Sequence, residues 1–243
     1  MKALLAGLLL LVACKDDIEM FPVNPGGGGG GTGGTGFVDA GMPDGDGDAG
    51  NTIAARVCLL NDARDPTSCA NTGAENLMVT LGTFTATTAA DGSFSIMRPS
   101  GSNLVWIVTG TAIQPSAMSF GTLTLIPAVE VGLYGQMVSA ANVTPIAGDG
   151  AIIAQVKRGT TPVTGLVATT VPDADTAAFY DGNTPENWDP NVSGGLGMVW
   201  VPGVPTASAG SAQLLLAEGT TVHTIQGIPV FDSTVTFVFA AIP

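Results

Sequence analysis

Over residues 52–128 short apolar runs alternate with small polar breaks, a spacing that predicts strands rather than helices. Thr52-Ile53-Ala54-Ala55-Arg56-Val57-Cys58-Leu59 reads as a first strand and Asn76-Leu77-Met78-Val79-Thr80-Leu81 as a second. Thr83–Thr88 runs through Ala89-Ala90-Asp91-Gly92 into Ser93-Phe94-Ser95-Ile96. Asp-Gly between alternating runs predicts a hairpin, because such a turn demands positive φ. Leu104-Val105-Trp106-Ile107-Val108 has no polar position and predicts a strand buried on both faces. Leu123-Thr124-Leu125-Ile126 closes the unit.

Residues 129–147 read as a connector with a short helix around Tyr134–Ala141. The strand pattern then returns over 148–243. Ala151-Ile152-Ile153-Ala154-Gln155-Val156 echoes Thr52–Val57, and Val163–Thr170 echoes the second strand. Gly197-Met198-Val199-Trp200-Val201-Pro202-Gly203 stands where Gly92–Ile96 stood. Ala212-Gln213-Leu214-Leu215-Leu216 echoes the Trp106 strand, and Ser233–Phe239 ends the copy. The spacings differ, so the repeat is a loose duplication and not a regular array.

Composition agrees with strands: Gly (34), Thr, Ala and Val are abundant and Lys is almost absent. The net charge is −13, with no basic cluster to hold a phosphate backbone, so nucleic acid is excluded as a partner.

The first fourteen residues carry a different pattern. Met1-Lys2 is a positive start, Ala3–Leu11 is apolar, and Leu11-Val12-Ala13-Cys14 closes the run. The run falls far short of the ~20 residues a bilayer span needs. It resembles the lipobox of bacterial lipoprotein signal peptides, with 1–13 as the signal. The resemblance implies cleavage before Cys14, acylation of that cysteine, and a membrane partner reached through it. Two or more acyl chains hold a protein firmly. The implied address is the cell envelope of a Gram-negative bacterium. Lys15 stands where enteric lipoproteins retained at the inner membrane carry Asp, so the outer membrane is preferred.

Residues 14–51 read as a disordered tether. They hold Gly26–Gly31, further glycines, and seven carboxylates: Asp16, Asp17, Glu19, Asp39, Asp44, Asp46 and Asp48. With little to bury, chain entropy keeps such a segment open. Gly31-Thr32-Gly33-Gly34-Thr35-Gly36 fits G-x-G-x-x-G but lacks the strand before and the helix after. Asp44, Asp46 and Asp48 match the start of a calcium loop, yet Ala49 and Ala55 replace its glycine and bidentate Glu.

In an oxidising compartment Cys58 and Cys69 are expected to form a disulfide, with two buried free thiols as the alternative. Their spacing is not that of a zinc knuckle.

Thr88-Ala89-Ala90-Asp91-Gly92-Ser93-Phe94-Ser95-Ile96 resembles the T-x-x-D-G-x-F-x-[IF] hairpin of carboxypeptidase regulatory-like domains. These are prealbumin-like (transthyretin-like) Greek-key β-sandwiches related to the B-type repeats of collagen adhesins. The resemblance covers 52–128, and 148–243 is similar to a divergent second copy. It implies an all-β protein of two tandem sandwiches serving as spacers, stabilisers or binding modules, not as catalysts. The isopeptide bonds of the adhesin relatives need a lysine, which 52–128 lacks.

Candidate chemistry is sparse. His223 is the single histidine and sits in an alternating run, as in a half-exposed strand. No G-x-S-x-G, H-E-x-x-H or P-loop occurs. No catalytic residue, metal site or cofactor is expected. The most unusual stretch is Pro172–Gly195, with Asp173, Asp175, Tyr180, Asp181, Glu186, Trp188 and Asp189 as candidate ligand-binding residues. Long loops in compact domains usually bind something or stay mobile. A tryptophan among carboxylates suits a sugar or a calcium ion. In the structural alternative Phe179-Tyr180 is a strand and Trp188 covers the core edge. The functional expectation is a non-catalytic, lipid-anchored envelope protein acting as a binding, adhesion or structural module, with an envelope glycan or protein as partner. The alternative is a carbohydrate- or calcium-binding domain centred on 172–195.

Overall fold

The computed structural model describes residues 51–243, except 71, 73, 192–193 and 207–209. The expected signal, the Cys14 lipidation site and all of the tether but Asn51 lie outside these residues. No helix among the described residues is long and apolar enough to cross a membrane. The described residues belong to one compact unit.

The described residues are all-β apart from one short helix. In order come Thr52–Leu60 (β1), Met78–Leu81 (β2), Phe84–Thr87 (β3), Ser93–Met97 (β4), Val105–Thr109 (β5), Ile113–Gln114 (β6), Ser116–Ser119 (β7) and Leu125–Glu130 (β8). The helix Val131–Ala140 (α1) follows. Then come Asp149–Arg158 (β9), Thr161–Pro162 (β10), Val167–Val171 (β11), Phe179–Asp181 (β12) and Trp188–Asp189 (β13). Met198–Pro205 (β14), Ser211–Glu218 (β15), Thr221–Pro229 (β16) and Val235–Ala241 (β17) complete the fold.

Three sheets form sandwich-like layers. One has the order β4-β1-β8-β6, a second β11-β15-β16, and a long one runs β13-β12-β14-β9-β17-β7-β5-β2-β3, with β10 on β9. The long sheet spans both halves of the chain, joined where β17 pairs in parallel with β7, Thr236 opposite Ala117. No local sequence signal marks that junction, because its partners lie more than a hundred positions apart.

Both halves nevertheless repeat one arrangement. β1 lies between antiparallel β4 and parallel β8; β9 lies between antiparallel β14 and parallel β17. In the first, Val57 N–H donates to Gly92 O at 2.9 Å; in the second, Val156 N–H donates to Gly197 O at 2.9 Å. Both glycines have positive φ, +82° and +65°, and a Cβ would lie 2.4 Å from Val57 O or 2.7 Å from Val156 O. Only glycine fits such a close backbone approach.

The Asp91-Gly92 turn differs from the predicted hairpin. β3 pairs with β2 and β4 with β1, so the turn carries the chain from one sheet to the other. Asp91 Oδ1 accepts from Ser93 N–H at 3.0 Å and Ser93 Oγ at 2.6 Å. Thr88 Oγ1 accepts from Leu77 N–H at 2.9 Å and donates to Ala74 O. The motif is thus a corner that fixes its own backbone and delivers Phe94 onto Trp106, edge to face at 5.7 Å.

Three apolar clusters hold the layers. Trp106, Val79 and Val108 meet Val57, Phe94 and Ile126 between the four-stranded sheet and the first half of the long one. Ile152, Val199 and Val201 meet Leu214, Leu216 and Ile228 across the second half. The opposite face of that half, with Ile153, Trp200 and Phe237, packs on Cys58, Leu60, Val129 and Met137 of α1. Burial from both sides explains the unbroken run Met198-Val199-Trp200-Val201. Leu104–Val108, predicted the same way, is buried at Trp106 and Val108 but only half-buried at Val105 and Ile107. Among the described residues no sheet or helix covers its second face.

At ten residues, two of them glycine, α1 is too short to stand alone. It ends at Asn142, φ +53°, with Asn142 N–H on Ser139 O and Val143 N–H on Val138 O, a Schellman closure. Tyr134 meets the Trp200 ring at 6.2 Å, and burial pushes its hydroxyl up to about 12.

Candidate functional site

Cys58 and Cys69 are joined as a disulfide, closing a loop that leaves β1 and returns beside it, Leu60 bridged to Cys69. Such a cross-link contributes about 2–4 kcal/mol. The loop presents Arg64, only 8% exposed. Asp62 grips the guanidinium twice, Oδ1 from Nε at 3.0 Å and Oδ2 from Nη2 at 2.8 Å. The third arm, Nη1, donates to Gly182 O at 2.5 Å in the 172–195 segment. Burial alone would raise the Asp62 carboxyl, but bonds to and charge from Arg64 hold it below its ordinary value.

Next to this contact Asp181, 8% exposed, anchors the far limb of the loop. Its Oδ1 accepts from Gly194 N–H at 3.1 Å and Met198 N–H at 2.9 Å, and Oδ2 accepts from Leu196 N–H at 2.9 Å. Gly182 and Gly194 are required here. A Cβ would lie 2.2 Å from Asn187 O at the first and 2.6 Å from Asp181 Oδ2 at the second.

The seven nominated residues do not converge. Tyr180 is buried and its hydroxyl accepts Ala168 N–H at 2.8 Å; burial raises its pKa. Trp188 is 3% exposed and packs on Trp200 at 5.7 Å, so its ring offers no face to a sugar. Asp189 is exposed and binds its own turn, Asn191 N–H at 2.8 Å. Glu186 is half-buried, and its charge acts on Arg64. Asp173 and Asp175 are exposed. Asp175 N–H donates to Gly203 O at 2.8 Å, and its carboxylate acts on Asp149 at the start of β9. Among the described residues no three His, Cys, Asp or Glu side chains are placed to hold a metal ion.

His223 lies on β16 with Nε2 3.4 Å from Glu218 Oε2, a carboxylate that Arg158 engages at 2.7 Å. Sequence reasoning passed over Arg64, Asp149 and Asp232. For Arg64 a signal existed. It is an arginine set between two cysteines, two positions after an aspartate, in a chain with only seven basic residues.

No protein-family model matches the chain, and no curated protein does. Among solved structures the chain is similar to family 41 carbohydrate-binding modules from streptococcal virulence factors, which recognise α-glucan. The identity is 14% over 79% of this chain and 95% of that chain, with a TM-score of 0.23. It is also similar to the tandem Ig repeats of Dlar, at 7% identity over 77% and 97%, with a TM-score of 0.13. At such TM-scores neither likeness bears on what this chain binds.

Proposed function

We propose that this chain is a non-catalytic protein of a Gram-negative cell envelope, lipid-anchored through Cys14 at the outer membrane. Its β body acts as a binding, adhesion or structural module. The observation that carries this reading is that buried side chains hold the loop backbone, Arg64 at Gly182 and Asp181 at Gly194, Leu196 and Met198. A loop ordered before contact binds at lower entropic cost, and an ordered loop also serves as a rigid spacer surface. The buried polar side chains of this region serve the backbone, which suits a scaffold. The lipobox resemblance supports the anchor, and the resemblance of 52–128 to carboxypeptidase regulatory-like domains supports the module.

Metabolic labelling with a fatty-acid probe tests the anchor: label is expected on the wild type and absent from Cys14→Ser, and label retained on Cys14→Ser overturns it. The body is tested by tryptophan fluorescence titrated with envelope glycans and with calcium, in wild type and Asp175→Asn. A saturable response lost in the variant would make the segment a carbohydrate or calcium site. Silence in both supports a structural role.

A further inference from the structure

Aspartates from three separate elements meet at one end of the second half. Asp149 opens β9, opposite Pro205 of β14. Asp175 belongs to the stretch between β11 and β12, and its N–H donates to Gly203 O of β14 at 2.8 Å. Gly203 and Pro205 stand two positions apart on one strand, so their two partners are neighbours. The strand makes room for this. Its register with β9 breaks between Val201 and Val204, and Gly203 there takes φ +65°. A Cβ on Gly203 would lie 3.5 Å from Asp175 Cβ, so the stretch rests directly on the strand. Asp232, at the corner between β16 and β17, accepts from Gly148 N–H and completes the group.

The three are not equivalent. Asp232 Oδ1 has two donors, Gly148 N–H at 3.0 Å and Ser233 Oγ at 2.9 Å. Asp175 is exposed. Asp149 is half-buried, and its Oδ2 is shut off from water with no hydrogen-bond partner. A buried carboxylate oxygen without a donor is costly, and a like charge beside it adds to the cost. The groups that act on Asp149 are Asp175 and Asp232, and neither is basic. A proton relieves both costs and supplies the missing bond, from one carboxyl to the other. The near limb of the segment, 172–178, is otherwise held by the Asp175 N–H and by Ala174 on the core. Beyond it β12 pairs with β14 at Phe179 and Tyr180, which ends the limb.

We infer that Asp149 and Asp175 form a proton-held latch, which keeps residues 172–178 on β14 while one proton is shared and frees them when it leaves. Freed, the limb gives Asp149 access to water and carries Asp175 away from it. The latch works whether the segment binds a partner or serves as a spacer, because Arg64 and Asp181 hold the backbone beyond β12. Burial first, then Asp175 and then Asp232, raises the Asp149 carboxyl above its ordinary 3.8. The latch is therefore closed below 3.8 and is lost as pH rises through the raised folded value.

The test is hydrogen exchange of the Asp175 amide in the full chain, followed by NMR with intrinsic rates divided out. The Val156 amide, bonded to Gly197 O in the same half, is the reference. In wild type the protection of Asp175 relative to Val156 should fall as pH rises above 3.8 and then level off. The fall is at most about tenfold per pH unit, since one proton is released. In Asp149→Asn the ratio should not change with pH. In Asp175→Asn, where the neighbouring charge is gone, the fall should shrink. That second variant changes an exposed side chain and keeps the backbone bond to Gly203, so it decides the matter even where Asp149→Asn does not fold. A wild-type ratio independent of pH, or a fall of equal size in wild type and in the variants, overturns the inference.

Discussion

Arg64 Nη1 donates to the carbonyl of Gly182 across 118 positions of chain, and Asp62 holds the guanidinium flat while it does so. One side chain thereby couples the disulfide loop to the acidic segment. Arg64→Ala leaves the Asp62 carboxylate and the Gly182 carbonyl without this partner. A loss of about 3 kcal/mol is expected, since breaking a mostly buried pair strands the remaining charge. The double change Asp62→Leu with Arg64→Met should cost less than Arg64→Ala alone, because no charge is left behind. Urea unfolding of both proteins gives the comparison; a double variant less stable than the single one would refute this account.

Gly92 and Gly197 make a paired prediction. Each faces the backbone oxygen of the central strand of its half, Val57 or Val156, at a distance no Cβ tolerates. Gly92→Ala and Gly197→Ala should each destabilise by roughly 2 kcal/mol or more, combining the positive-φ cost with the clash. Gly219, also at positive φ but with open space around it, should cost less on the same change. Thermal denaturation of the three variants ranks them, and equal losses at all three would show that φ alone decides.

Much of this was legible in the chain itself. The strands around Val57, Ile96, Ile153, Trp200 and Leu214 stand where the apolar runs predicted, because strand formation follows local alternation. The Cys58–Cys69 link followed from the expected oxidising compartment and from cysteine number. The turn at Gly92 was legible, but its partners were not. The sequence marks a sharp corner at Asp91-Gly92 and is silent on whether the next strand pairs with the last or crosses to another sheet. The half-exposure of Ile107 was equally hidden, since an apolar run does not state which of its faces lacks a neighbour. In the 172–195 segment the residue types suggested a ligand, whereas Tyr180, Asp181 and Trp188 turn inward. A carboxylate that accepts three backbone N–H bonds and one that awaits a cation look alike in sequence.

Tyr180 isolates the worth of one such bond. Its hydroxyl is the partner of Ala168 N–H on β11, which lies at the edge of its sheet. Tyr180→Phe keeps the ring and strands that N–H, at a cost of about 1–3 kcal/mol. The near-ultraviolet spectrum of the packed tryptophans should stay unchanged, because Trp188 and Trp200 touch each other and not the hydroxyl. A stability loss near zero would mean that water replaces the phenol.

The pH dependence separates two aspartates with opposite signs. Asp62 sits below its ordinary value of 3.8 because, against the penalty of burial, Arg64 bonds and attracts its charged form. Its contribution is present above that value and is lost as pH falls through the lower folded one. Asp149 sits above 3.8, first through burial, then through Asp175 beside it, then through the charge of Asp232; its Oδ2 is buried without a partner. The folded state therefore holds this proton more tightly than the unfolded chain. Stability from this group is present below 3.8 and is lost as pH rises through the raised folded value. Asp149→Asn should then unfold at higher urea than wild type at pH 7, with the gain shrinking toward zero as the medium is acidified below pH 3.8. Asp62→Asn should be weaker than wild type at pH 7 and approach it in acid. Urea midpoints collected across the acidic range decide the matter: offsets that stay constant with pH in both variants would show that neither carboxyl titrates differently in the folded chain.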